Sequence, residues 1–163
     1  MRGESLQPGD PVPPFDLPLD TGGRISPRAL RGRPYVLYFY PKDDTSGCTK
    51  EAVAFSALLD AFQALGVEVI GVSRDSLASH ARFRSKHGLS VKLASDEDGK
   101  ACEAFGVWTE KSLYGRRYMG IDRSTFLVDA DGRIARVWRK VRVPGHAEEV
   151  LEAARALVAG QAS

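Results

Sequence analysis

Tyr35-Val36-Leu37-Tyr38-Phe39-Tyr40 is uninterrupted by charge, glycine or proline and is rich in aromatic side chains. An apolar run of this kind suits a strand covered on both faces, which predicts the centre of a largely parallel sheet. Pro41 ends it. Val67 to Val72 repeats the pattern, and Val91 to Ala94 supplies a third, shorter strand. Between the first two, Ala52, Phe55, Leu58, Leu59, Phe62 and Leu65 recur at spacings of three and four. That periodicity predicts one amphipathic helix from Thr49 to Leu65, closed by Gly66. Further helices are expected from Ser76 to His87, stopped by Gly88, from Lys100 to Phe105, and from His146 to Val158. Ser124 to Val128 and Ile134 to Val143 flank Asp129-Ala130-Asp131-Gly132, a hairpin signal. Upstream, Pro8 to Pro18 reads as an extended arm packed through Val12, Phe15 and Leu17, and Asp20 to Arg24 as a turn. The order predicts an α/β fold with a central mixed β-sheet and helices on both faces.

The composition narrows the classes of function. The 163 residues suit one domain, residues 1–163, with 1–7 and 159–163 expected as flexible ends. At 43% hydrophobic the chain has enough apolar material to exclude disorder, and a net charge of +2 excludes nucleic acid or an anionic membrane as partner. No apolar run approaches the roughly 18 residues of a membrane span. Met1 to Pro8 lacks the apolar stretch of a secretion leader, so a cytoplasmic location is expected. Two widely separated cysteines form neither a disulfide scaffold nor a Cys-x-x-Cys pair. The chain has no asparagine, which removes a Cys-His-Asn triad.

Chemistry concentrates in Pro41-Lys42-Asp43-Asp44-Thr45-Ser46-Gly47-Cys48-Thr49-Lys50-Glu51, which joins the central strand to the long helix. Sites in open α/β sheets form where strand ends meet helix starts. Cys48 is expected in the first helical turn, where unpaired amides and the helix dipole favour a thiolate. The dipole is not enough. Moving a thiol from ~8.5 to ~6 takes about 3.4 kcal/mol, against ~0.3–1 kcal/mol from a helix end, or ~2 when partly buried. A nearby cation is therefore required. Ionisation alone gains only about 30-fold at neutral pH, so a fast catalyst must also stabilise the charge that develops on the leaving oxygen. The alternative, a small buried hydrophobe, fits this strand–turn–helix context poorly.

The segment resembles the peroxiredoxin family in its Q-type (bacterioferritin comigratory protein) branch, whose pattern is Pro, three residues, Thr or Ser, two residues, Cys. Gly106-Val107-Trp108, Glu110-Lys111-Ser112, Gly120 to Asp129 and Gly145 to Leu151 also look like that branch, and the likeness covers roughly residues 6–158. The resemblance implies a thioredoxin-like fold and a cofactor-free thiol peroxidase acting on hydrogen peroxide and organic hydroperoxides. It implies Cys48 as peroxidatic nucleophile, with Thr45 bonding thiolate and peroxide. Arg123 becomes the required cation, Pro41 the shield of the pocket, and Glu51 the group orienting the arginine. Thioredoxin, glutaredoxin or a small thiol is the implied reductant, and a monomer or weak homodimer the implied state. The branch's resolving cysteine is missing: its two known positions hold Val53 and, about there, Phe83-Arg84. Three routes stay open: an outside thiol, Cys102 within the chain, or Cys102 between chains. If the three strands are neighbours, Cys48 and Cys102 lie beyond one sheet edge about 10 Å apart laterally, farther than the ~7 Å a disulfide allows.

Other features carry less. His80 and His87 are seven apart, a poor zinc spacing, and are expected at the surface. Asp96-Glu97-Asp98-Gly99 reads as an acidic helix start. Arg136, Trp138, Lys140 and Arg142 are expected on one solvated strand face. Trp108 and Tyr114 are open between lining the approach to Cys48 and simply packing. Rival functions are a stoichiometric peroxide sensor passing its oxidation to a partner, and an inactive thioredoxin-like binding module.

Overall fold

The computed structural model describes residues 6–162. Two short strands, β1 (Leu17–Pro18) and β2 (Arg24–Ile25), pair across the predicted turn. There follow β3 (Tyr35–Phe39), α1 (Ser46–Ala57), α2 (Leu59–Ala64), β4 (Glu68–Ser73), α3 (Leu77–His87), β5 (Lys92–Ser95) and α4 (Lys100–Ala104). The chain ends with β6 (Trp108–Leu113), β7 (Arg116–Ile121), β8 (Ser124–Val128), β9 (Ile134–Trp138) and α5 (His146–Ala162). Of the expected flexible ends, residues 1–5 and 163 lie outside the described residues. No helix among the described residues is long and apolar enough to cross a membrane.

The main sheet has the order β5-β4-β3-β8-β9. β3, β4 and β5 run parallel, while β8 and β9 run antiparallel to their neighbours, so the sheet is mixed, as the patterning predicts. β3 sits at its centre and is buried at every position. Its alternating side chains divide the core in two. Tyr35, Leu37 and Phe39 face a layer made with α4, Phe105, Phe126 and the N-terminal arm. Val36, Tyr38 and Tyr40 face α1, α2, α3 and α5. Helices thus cover both faces unequally, with only the short α4 on the first.

Three expectations need correction. The helix from Thr49 to Leu65 is two helices: at Leu58 (ψ 3°) the amide is shared between Ala54 O and Phe55 O, and this loosened step separates α1 from α2. Residues 108–121 form a hairpin, β6–β7, which the sequence pattern did not announce. Its residues are mostly exposed, so no apolar alternation marks it. The strand expected to reach Val143 stops at Trp138, and Lys140 has a positive φ of 50°. Lys140 and Arg142 therefore leave the face shared by Arg136 and Trp138, whose guanidinium and ring stack at 4.4 Å.

Gly71 of β4 is fixed by a close approach rather than by a turn. A Cβ there would lie 2.6 Å from Tyr38 Cζ. The Tyr38 ring cannot yield, being stacked on Phe55 at 4.6 Å and Tyr40 at 5.7 Å. Gly71→Ala is expected to destabilise the fold by about 1–3 kcal/mol through overpacking. It should lower the urea midpoint with an unchanged slope; an unchanged midpoint would refute the close-packed contact.

Candidate active site

β3 delivers the chain to Pro41, and a four-residue loop leads to Thr45, whose extended backbone (φ −95°, ψ 157°) starts α1. The first described bond of that helix runs from the Thr49 amide to Thr45 O at 2.8 Å. Cys48 therefore lies in the opening turn, among amides without an intrahelical acceptor. The residue is 1% exposed and its thiol is free.

The cation arrives through strand register. β8 pairs with β3 so that Ser124 lies opposite Phe39, which places Arg123 beside the C-terminal end of the central strand. Arg123 Nη2 donates to Cys48 Sγ at 3.4 Å, and Nη1 donates to Glu51 Oε1 at 2.6 Å. Glu51 is one turn after Cys48 on the same helix face and is 1% exposed. Burial pushes its carboxyl up to about 7, against the pull of Arg123. Burial disfavours the charged guanidinium too, but Glu51 and Cys48 outweigh that and hold its pKa above the ordinary value. Gly47 belongs to the same arrangement: a Cβ there would lie 3.1 Å from Arg123 Nη2. Nothing in the sequence pattern marks Gly47, since it does not tell a helix glycine that makes room from one that merely bends.

Thr45 departs from its expected role. Its exposed hydroxyl donates to Lys42 O at 2.8 Å, so its single proton closes the loop rather than bonding the sulfur; its lone pairs remain as acceptors. Pro41 is half-buried and lines a cleft of about 430 Å³ with Lys42, Trp108, Lys111, Met119 and Ile121. Trp108 thus lines the neighbouring cleft, stacked under Arg74 at 4.5 Å, while Tyr114 is 96% exposed and lines no wall of it.

Cys102 lies elsewhere. Cys48 belongs to the core face of Val36, Tyr38 and Tyr40, and Cys102 to the opposite face with Leu37, Phe39 and Phe105. The two thiols follow the ends of β3 and β5, two strands apart in the parallel run as expected, and are separated by the sheet as well. Burial and the neighbouring Asp96 carboxylate raise the Cys102 pKa far above the ordinary thiol value. Asp96 also accepts the Ala101 and Cys102 amides at 3.1 and 2.8 Å, the acidic helix start expected there.

His80, expected at the surface, is wholly buried. Its Nε2 faces Ala94 O at 2.9 Å and its Nδ1 faces Asp43 Oδ2 at 2.7 Å. A carbonyl and a carboxylate both accept, surroundings that favour a proton on each ring nitrogen and hence the imidazolium form. Burial opposes that charge, but the Asp43 hydrogen bond outweighs it and raises the His80 pKa. Asp43, conversely, is pushed up by burial and brought below its ordinary value by His80 and Tyr40. The spacing of His80 and Phe83 on one face of α3 is the signal that could have located it. His146 is buried differently, bonded to Thr125 Oγ1 at 2.8 Å, and burial lowers its pKa to about 4. Among the described residues, no group of three or more His, Cys, Asp and Glu could hold a metal ion.

Residues 8–137 match the AhpC/TSA family model. The chain belongs to that family. It is 48% identical over 148 residues to Peroxiredoxin Bcp of Xanthomonas campestris, covering 90% of this chain and 92% of that one. It is 41% identical over 146 residues to Peroxiredoxin Bcp of Escherichia coli, covering 90% and 94%. A solved structure of the Xanthomonas campestris bacterioferritin comigratory protein, described for its alkyl peroxide reduction activity, has a TM-score of 0.84. It is 46% identical, covering 88% of this chain and 92% of that one. The fold is therefore that of the thioredoxin-like peroxiredoxins, and the chain is a thiol-dependent peroxidase of the Q-type branch.

The two buried histidines give opposite pH signatures. With a native value of about 4 below the unfolded ~6.5, His146 costs stability as pH falls through that window, because the unfolded chain binds the extra proton. His80, raised, contributes stability in full below ~6.5 and loses it as pH rises through its higher native value. An NMR titration should show His80 protonated above that reference pH and His146 neutral down to about 4; coincident titrations would contradict the assignment.

Proposed function

We propose that Cys48 is the nucleophile of this peroxidase, that its substrates include organic hydroperoxides, and that an outside thiol completes the cycle. The Cys48 thiolate attacks the nearer peroxide oxygen, an S–O bond forms as the O–O bond breaks, and alkoxide or hydroxide leaves to be protonated. Arg123, bonded to the sulfur at 3.4 Å, is the observation that carries this reading. Its guanidinium and the first amides of α1 supply donors for both the sulfur anion and the departing oxygen. Glu51 holds the guanidinium in place through the 2.6 Å bond, and the Thr45 oxygen is available to accept from the peroxide. The alkyl peroxide reduction of the Xanthomonas campestris relative, together with a cleft beside Pro41 lined by Trp108, Met119 and Ile121, supports organic as well as inorganic substrates.

The sulfenic acid then condenses with an external thiol, releasing water and forming a mixed disulfide that a second thiol reduces. Val53, at one missing resolving position, offers no sulfur, and Cys102 packs on the far face of the sheet. Those facts support a one-cysteine cycle served by thioredoxin, glutaredoxin or a small thiol. A reducing cytoplasm supplies such thiols, and a monomer or weak dimer suffices.

Graded peroxide followed by mass spectrometry and thiol counting tests the reading. Cys48 should gain one oxygen while Cys102 stays a free thiol, and Cys48→Ser should abolish peroxide consumption. Loss of both thiols after one equivalent would instead establish a disulfide with Cys102. With a thiol reductant added, many peroxides should be consumed per chain; one per chain would favour the sensor.

A further inference from the structure

Of the loop between Pro41 and Gly47, Asp43 alone has a buried side chain; Lys42, Asp44, Thr45 and Ser46 are exposed. Its carboxylate is saturated with donors: Tyr40 Oη at 2.6 Å and His80 Nδ1 at 2.7 Å, with Ser79 Oγ at 2.8 Å. Its amide donates in turn to Asp75 Oδ2 at 2.9 Å. Every one of these partners lies on Tyr40 or on the β4–α3 segment, so the side chain ties the Cys48 loop to a different element of the fold. The next residue, Asp44, turns the chain with a positive φ of 60°, a conformation that Asp tolerates. Its ties to Lys86 at 2.8 Å and His87 at 2.7 Å are exposed to solvent and correspondingly weak.

We propose that Asp43 is a positioning residue that pins the Cys48 loop against α3 for the peroxide step and must be released for the thiol step. The inference rests on Cys48 being the nucleophile. Peroxide is small and is turned over by the closed arrangement, in which the sulfur meets Arg123. A reductant thiol is bulkier and must approach the sulfur opposite its new S–O bond, yet Cys48 is 1% exposed. The Asp43 hydrogen bonds oppose that exposure. Weakening them therefore moves the two half-reactions in opposite directions, which a general loss of folding does not.

The test measures both steps on full-length protein. Stopped-flow oxidation by hydrogen peroxide gives the first rate constant, and reaction of the pre-formed sulfenic acid with dithiothreitol gives the second. Asp43→Asn removes an acceptor and faces an amide toward the His80 imidazolium. It should slow the peroxide step and speed the thiol step, the two fold-changes multiplying to about tenfold or more, the scale of a buried charged hydrogen bond. Tyr40→Phe and Ser79→Ala each delete a single donor, should shift both steps in the same sense by smaller factors, and decide the matter if Asp43→Asn does not fold. Both steps falling together, or neither moving, would overturn the pin. If Cys48 of the unaltered protein takes up no oxygen, the nucleophile assignment fails, and the loop variants are not needed to show it.

Discussion

Arg123 reaches Cys48 because β8 runs antiparallel beside β3 with Ser124 opposite Phe39. That register sets a cation from late in the chain at the strand end where the Cys48 loop begins. The guanidinium is bonded on one side by a carboxylate and on the other by the sulfur, and Gly47 keeps the space it occupies free. A slip of one residue would turn the Arg123 side chain to the opposite face of the sheet, toward the layer that holds Cys102. The grouping of Cys48, Arg123 and Glu51 is therefore a consequence of sheet pairing as much as of the local Cys48 motif.

The separation of the two cysteines follows from the same alternation. Even-numbered residues of β3 contact the helix layer that carries Cys48, and odd-numbered ones contact the layer that carries Cys102. Burial beside Asp96 keeps Cys102 a neutral thiol and so chemically quiet. One sulfur is set beside a guanidinium and the other beside a carboxylate. The two sulfurs thus sit in opposite electrostatic surroundings.

Periodicity made the central strands and α5 legible, because their buried faces are continuous and apolar, whereas α3, which buries His80 and Phe83, was legible from its Gly88 stop. Periodicity missed β6–β7, whose side chains are largely exposed, and merged α1 with α2, since the step at Leu58 needs neither glycine nor proline. At the site, family resemblance pointed to Cys48, Arg123, Glu51 and Pro41, which the fold brings near the end of β3, and the energy argument independently required a cation. Asp43 was illegible for a physical reason, and His80 was marked only by its spacing from Phe83. A buried ion pair has no apolar signature, and its members look like surface residues until their partners are known. Thr45 shows the reverse: its position matched the pattern, but its proton is committed to Lys42 O.

The most direct test of the electrostatic account is the rate constant for hydrogen peroxide oxidation of Cys48 in Arg123→Lys, in protein shown to be folded. A lysine retains the charge but cannot bridge Glu51 and the sulfur with a planar fork. The account predicts a fall of about 100-fold or more, the scale of losing a preorganised donor. An unchanged rate constant would contradict it.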